Sequence, residues 1–519
     1  MIKKSVICLF CLMFLASASL YSATYNIVGN RVNPNDITWQ DFANAVNNNQ
    51  TAGNIYYLMD DVGVPSSSIL TTPVTQMLGG TFRGRFDGNN HLIYVDIDTN
   101  ATNVGLFSQV AGVIQNLIVD GSVVGGYASQ YVGGLVGEFL SSNISNCTNL
   151  ADVTGLANNS SVGGIVGIVA GGDVYECVNN GTITGGQHIA GIIGVTIEAG
   201  IRFCKNAGTI QCNNVVVDGG IYIAGITAYC NNTYMHNSVN IGKILSSNSN
   251  YAGGIVARIF KGSIGISANS GIVDGAIYCV GGIVGCIEPE ASIYECLNTN
   301  WVTGTSQSSG SIAGINNGYV ENCFYDNQMS VPLAIGAGLQ GTNTPQNGLV
   351  TNSMTGNNLS AYLCNGMECW HFQNNLYPRT GYNTGPPDHP IILLSAAPIY
   401  LQDNPITGDP ERLDNVTAPF YVSNYFTVPP FLPPPPIPFP YLWGSFSNTL
   451  PWIHYPNSIM NFISVPPPPS NIANVFIPRQ DTLSVQLDYN WLISNNYNGF
   501  YSGNYSIFFE KQIPINVGR

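Results

Sequence analysis

The chain has 519 residues, of which 45% are hydrophobic and only 8% charged, with a formal net charge of −14. So much apolar side chain excludes a disordered protein. The acidic balance argues against nucleic acid and anionic membranes as partners.

At the N-terminus, Lys3 and Lys4 precede an apolar run from Val6 to Leu15 and the small residues Ala16-Ser17-Ala18. This reads as an export signal over residues 1–22, with Ser22 as a later cleavage point. Cys8 and Cys11 have no lipobox before them, which points to a soluble export signal. Losing Lys3 and Lys4 leaves 13 basic against 29 acidic side chains, a formal charge of −16. No later stretch approaches the ~18 unbroken apolar residues that span a bilayer, so no transmembrane segment remains after processing. The expected location is secreted or cell-surface.

Residues 23–103 form an N-terminal cap and the first coils. Asp36 or Thr38 can cap a short helix whose apolar face is Trp39, Phe42 and Val46. Short β-rich runs follow at Ile55 to Leu58, Gly80 to Phe86 and His91 to Ile97.

Residues 104–330 are dominated by a repeat, apolar-x-x-(Cys/Ser/Leu)-x-Asn-x-Gly. Its first variable position is occupied by Leu117, Cys147, Cys177, Cys204, Ser238, Ser267, Cys296 and Cys323, at spacings of 30, 30, 27, 34, 29, 29 and 27 residues. The asparagines are Asn149, Asn179, Asn206, Asn240, Asn269 and Asn298. A second block, apolar-Gly-Gly-(Leu/Ile)-Val-Gly, recurs at Val132 to Gly137, Val162 to Gly167 and Val280 to Gly285, with looser copies at Ile189 to Gly194 and Ala252 to Ala257. A fixed period of this length means stacked coils. Short β-branched runs between Gly and Asn turns predict three strands per coil. The expected fold is therefore all-β: a right-handed parallel β-helix solenoid with an N-terminal cap and a C-terminal Pro-rich β/loop region. The asparagines are expected to stack as an internal ladder that satisfies its own amides and the turn backbone, and to tolerate left-handed turns. A position that accepts Leu, Cys and Ser is a buried slot, so its cysteines are read as free thiols that pack as small hydrophobes, with cross-linking or metal binding as the alternative.

Residues 331–401 read as the solenoid's C-terminal cap, with a short helix near Leu359 to Leu363 and a closing run Pro390 to Leu401. Cys364 and Cys369 lie outside the repeat with Asn365-Gly366 between them to turn the chain, a setting for a local disulfide. Residues 402–519 are a Pro-rich, loop-rich β module: Pro433 to Pro436 and Pro466 to Pro469 are polyproline, and Thr482 to Leu487 and Tyr505 to Phe509 alternate like strands.

These blocks resemble the GLUG motif of exported bacterial β-helical proteins. The resemblance rests on Gly134-Leu135-Val136-Gly137 followed by Ile144-x-Asn146-Cys147, and on Gly164-Ile165-Val166-Gly167 and Gly282-Ile283-Val284-Gly285. Gly84-Arg85-Phe86-Asp87-Gly88-Asn89, Val104-Gly105-Leu106-Phe107, Asn322-Cys323-Phe324-Tyr325-Asp326 and Ser353-Met354-Thr355-Gly356 extend it over about Ile37 to Leu401. Ala228 and Ala257 replace the last Gly of the motif, which suggests a local change of turn. The resemblance implies a fold and an exported, surface-associated setting, not a reaction. Some family members are attached to metallopeptidases that cleave immunoglobulin A, and no such unit can be carried over here.

The chain offers no catalytic, cofactor-binding or metal residue by pattern. His91, His188, His236, His371, His389 and His454 lack His-Glu-x-x-His spacing and read as surface or turn residues. Gly-x-Ser-x-Gly, zinc-finger and calcium-roll patterns are missing. A β-helical polysaccharide lyase or hydrolase needs carboxylates from adjacent coils in one groove. Glu138, Asp173, Glu176, Asp218, Asp274 and Glu295 fall in different registers; only Glu176 and Glu295 match, each before a ladder Cys. Asp60-Asp61 and Glu288-x-Glu290 read as solvated turns, and Arg83, Arg85 and Asp87 as an ion pair at the cap. The leading expectation is a non-catalytic protein that binds glycans or cell-surface proteins through many weak contacts and takes no cofactor. A carbohydrate-active β-helix enzyme is the first alternative and a structural envelope component the second.

Overall fold

The computed structural model describes residues 23–212, 220–246, 249–275, 278–304, 308–327, 330, 332–354, 356–365, 369–372 and 377–380, and the backbone of four later strands. The signal segment, Asp218, His389, His454, the polyproline runs, the Pro390 to Leu401 run and the Thr482 to Leu487 alternation lie outside the described residues.

Short runs of β-branched residues bounded by Gly and Asn give a parallel β-solenoid. One coil shows the pattern. Tyr131–Gly133 belongs to one sheet, Val136–Phe139 and Asn143–Ser145 to a second, and Thr148–Asn149 and Asp152–Gly155 to a third. Each strand pairs in parallel with its counterpart one coil on, as Val132 with Val162, Val136 with Val166, Ile144 with Val174 and Asn149 with Asn179. Leu135, Ile144, Val153, Ile165, Val174 and Ile183 point into a dry core and are fully buried.

The first coils are closed by the helix Trp39–Asn47. Thr38 caps it: the Asp41 amide donates to Thr38 Oγ1 at 3.2 Å, and the Thr38 amide donates to Asp41 Oδ2 at 2.8 Å. Those bonds from Thr38, together with Arg31, hold the Asp41 carboxyl down at about 2. Phe42 then packs its ring against Tyr56, Phe86 and Phe82, with centroids 4.9, 5.2 and 6.2 Å away. This is an aromatic plug at the start of a core that is largely aliphatic in the coils beyond. Beside it, Asp87 takes hydrogen bonds from Gln115 and Asn116, at 2.6 and 2.9 Å, with Arg85 3.9 Å away.

Two compact units are distinguished, the second comprising Thr299–Trp301, Phe324–Val331 and Asn347 onward. In the second unit Trp370, Leu359, Leu363 and Tyr377 are buried, and Cys364 is disulfide-bonded to Cys369. The helix expected near Leu359 to Leu363 is a run of turns, and a short helix lies earlier, at Thr351–Met354. The cause is local: Asn357 accepts both the Ser360 amide, at 3.1 Å, and the Ser360 hydroxyl, at 2.7 Å, closing a tight turn where helix was expected. The strands Val416–Asn424, Gly444–Asn448, Ile472–Val475 and Gly499–Phe509 form an antiparallel sheet, the last of them covering the alternating Tyr505 to Phe509 run.

Candidate functional site

The repeat positions build a scaffold inside the solenoid. Each ladder amide donates twice, to the backbone carbonyl two residues on and to the next coil's amide. Asn149, Asn179, Asn206, Asn240 and Asn269 each place Nδ2 2.8 Å from Oδ1 of the following member, ending at Asn298. The second donations go to the carbonyls of Ala151, Gly181, Gly208, Gly242 and Gly271. Asn149 Oδ1, at the head, is buried with no hydrogen-bond partner, because the preceding coil offers Val119 there.

The cysteine slot has its own chemistry. Cys147, Cys177, Cys204, Cys296 and Cys323 turn their thiols to the carbonyl two residues back, at 3.2 to 3.5 Å. Ser238 and Ser267 do the same with hydroxyls, at 3.2 and 2.9 Å. The slot therefore takes a small donor, which explains why Cys and Ser exchange; Leu117 fills it in the leading coil. All five cysteines are buried and unbridged, and burial raises the thiols of Cys177, Cys204 and Cys323 well above the usual range.

The ladder asparagines are strand residues, which corrects the expectation that they take up left-handed turns. The residue before each Cys or Ser slot does so instead. Asn116, Asn146, Glu176, Phe203, Asn237, Ile266, Glu295 and Asn322 have φ between 48° and 55°. The shared register of Glu176 and Glu295 is thus a turn column, and it brings no acids together in neighbouring coils.

Outside this scaffold a polar and aromatic corner forms where the first sheet meets the second. Its first column is the residue just before each Gly-Gly block: Tyr131, Ser161, His188, Tyr222, Tyr251 and Cys279, paired in that order. Its second column lies seven residues later: Glu138, Ile168, Val195, Tyr229, Arg258 and Cys286. Along the first column the rings of His188, Tyr222 and Tyr251 stack, with centroids 5.0 and 4.7 Å apart. Tyr229 meets Tyr222 edge-on at 6.0 Å, and Tyr278, 53% exposed, meets Tyr251 edge-on at 5.7 Å. The Arg258 guanidinium lies 5.5 Å over the Tyr251 ring, a cation–π contact. It also donates to Glu288 Oε1 through Nε and a terminal nitrogen, at 2.9 and 2.6 Å. Burial pushes the Tyr251 hydroxyl up to about 12 and the His188 ring down to about 4, so both are uncharged near neutrality.

Ala228 and Ala257 lie under this corner. They pack with Ala190, Ala224 and Tyr222, and Tyr229 and Tyr251 lean on the cluster. Where the motif keeps Gly167, a Cβ would meet the Val132 amide nitrogen at 2.5 Å, so the two coils that accept a methyl are those beneath the aromatic rings. The substitutions do more than alter a turn: they floor the corner. The signal for the whole corner was present in the sequence as the residues immediately flanking each block.

Most of the candidate acids among the described residues are individually engaged. Glu138 Oε2 accepts from Asn103 and Gln109, at 2.7 and 2.8 Å. Asp173 pairs with Arg202 at 3.6 Å, and Asp274 accepts from the Thr303 hydroxyl at 2.8 Å. Asp60 accepts from the Ser68 amide at 2.8 Å, and Asp61 lies 3.3 Å from His91. Glu288 and Glu290, expected in a solvated turn, sit in the strand Val284–Tyr294, because parallel pairing with Val256–Gly265 carries the strand through this acidic stretch; Glu290 meets Lys261 at 3.2 Å. His188 and His236 are half-buried strand residues, because their positions continue columns paired to neighbouring coils; neither is a surface turn residue. Among the described residues, no three His, Cys, Asp or Glu side chains come together to hold a metal ion.

A family model described as the GLUG motif matches residues 128–154, which include Tyr131 and Glu138 of the corner. No curated protein matches the chain. Among solved structures, the chain resembles a "putative immunoglobulin A1 protease" from Bacteroides ovatus at 16% identity and a TM-score of 0.38, over 66% of this chain and 90% of that one.

Proposed function

We propose that this GLUG-motif β-solenoid is an exported, non-catalytic binding protein that holds extracellular or cell-surface glycans at its aromatic corner. The observation that carries this reading is the stack of His188, Tyr222 and Tyr251, flanked by the exposed Tyr278 ring and the Arg258–Glu288 pair. Ring faces and edges accept the C–H faces of sugars, while phenol, guanidinium and carboxylate groups suit their hydroxyls. Stacked coils repeat such groups every ~4.8 Å, so weak contacts add along a polymer. Binding is favoured over hydrolysis because Glu288 is committed to Arg258 and Glu138 to two amides, which supports no free acid–base pair in this corner.

The test is retention of the mature chain on immobilised polysaccharides, with release of soluble sugar ends followed in parallel. Retention without release, lost in Tyr278→Ala and in Arg258→Ala, is the expected result. Released ends would make the protein a carbohydrate-active enzyme. Neither retention nor release would leave the structural envelope role.

A further inference from the structure

We propose that Cys279 and Cys286 join in a disulfide across the corner when the folded protein meets a disulfide-bearing oxidant. A Cβ at Gly281 would lie 1.8 Å from the Val284 carbonyl oxygen, so the chain folds back tightly between the two sheets. Residues placed evenly about that turn, seven apart, must face each other. In the two preceding coils they do: Tyr222 and Tyr229 have ring centroids 6.0 Å apart, and the Arg258 guanidinium lies 5.5 Å over the Tyr251 ring. The register carries Tyr251 onto Cys279 and Arg258 onto Cys286. Two small thiols therefore occupy places that two large side chains bridge one coil earlier.

This pair differs from the ladder cysteines. Those belong to different coils, and each thiol is turned to the carbonyl two residues back. The Cys286 thiol instead donates to Glu288 Oε1 at 3.7 Å, the oxygen that Arg258 also engages. Cys279 is raised, first by its hydrogen bond with Cys286 and then by burial, whereas the same hydrogen bond lowers Cys286. Cys286 is thus the first nucleophile.

The chemistry balances. The Cys286 thiol gives its proton to solvent, and its thiolate attacks one sulfur of the oxidant, whose S–S bond breaks and releases a thiolate. Cys279 then gives its proton to solvent and attacks Cys286 in the mixed disulfide, and the second thiol of the oxidant leaves. The oxidant gains two electrons and the protein loses two thiol hydrogens. The bond ties the strand Cys279–Gly281 to the strand Val284–Tyr294 and leaves Glu288 to Arg258 alone.

The test uses the full folded chain incubated with oxidised glutathione, then denatured, alkylated and mapped by peptide mass. Cys279 and Cys286 should escape alkylation together, in one peptide lighter by two hydrogens, while Cys147, Cys177 and Cys204 are alkylated. Alkylation of both thiols, glutathione retained on either, or linkage to another cysteine would overturn the proposal. In Cys279→Ser, Cys286 should keep glutathione as a mixed disulfide; an unmodified Cys286 in that variant would remove the first step. The wild-type map is decisive by itself, so poor folding of the variant does not blunt the test.

Discussion

Gly164 lies so close to Asn179 that a Cβ on Gly164 would stand 2.5 Å from Asn179 Oδ1 and 2.2 Å from the Gly191 carbonyl oxygen. The two blocks of the repeat thus depend on each other: the second glycine of one block makes room for the asparagine of the other. The need is for close approach, since Gly164 does not have positive φ. Gly164→Ala should therefore cost about 1–3 kcal/mol, the range for overpacking, with the loss read as a lower midpoint in urea unfolding. An unchanged midpoint would show that the ladder yields to a methyl.

The ladder has unequal members. Asn206→Ala strips Asn179 Nδ2 of one acceptor and leaves Asn240 Oδ1 without its donor from the preceding coil. Asn149→Ala removes a side chain whose Oδ1 has no partner, and withdraws a donor from Asn179 Oδ1 and from the Ala151 carbonyl. The interior substitution should cost about 2–4 kcal/mol and the head substitution markedly less. Thermal unfolding of the two variants side by side checks this; equal losses would mean that position along the ladder is immaterial.

His188 makes stability depend on acidity. Burial sets its folded value at about 4, below the ordinary 6.5, so the folded state disfavours the charged ring. Its contribution is fully present above pH 6.5, declines as pH falls from 6.5 toward 4, and changes no further below that. The whole effect is about 3 kcal/mol. Asp41, held near 2, titrates below this window. The difference in melting temperature between wild type and His188→Gln should change over this window and be flat above it. A constant difference would show that His188 protonates freely in the fold.

Ile266 sits in the left-handed turn column at φ 50°, where a β-branched residue is strained. Asn237 and Asn322 occupy the same column at φ 54° and 49°. Ile266→Asn should stabilise the chain by about 1 kcal/mol, visible as a raised unfolding midpoint. A lowered midpoint would mean that the packing of the Ile266 side chain outweighs the backbone strain.

The scaffold was readable because its constraints are strict. An amide that must meet its copy in the next coil tolerates no other side chain, so Asn179, Asn206 and Asn240 recur in one register despite spacings of 27 and 34 residues. The left-handed column was misassigned because only half of its residues are asparagines, and the others, among them Glu176, Phe203 and Ile266, share the conformation and no chemistry. The corner was hidden for a related reason. Its positions lie at the rim of the core and vary from Ser161 through His188 to Tyr222, so only alignment on the neighbouring glycines brings the column into view. Glu288 was misread because Glu-x-Glu resembles a solvated turn, and nothing nearby in sequence announces Arg258, 30 residues earlier.

Every ladder amide points its donor the same way along the axis, from Asn149 toward Asn298. The column consequently has a head and a tail, like a strand of identical links. A coil duplicated in tandem brings one acceptor and one donor and leaves none exposed, whatever the length of the loop that joins it. The architecture can lengthen or shorten by gene duplication in whole-coil steps, whereas a deletion that skips part of a coil breaks the chain of amides at a single point.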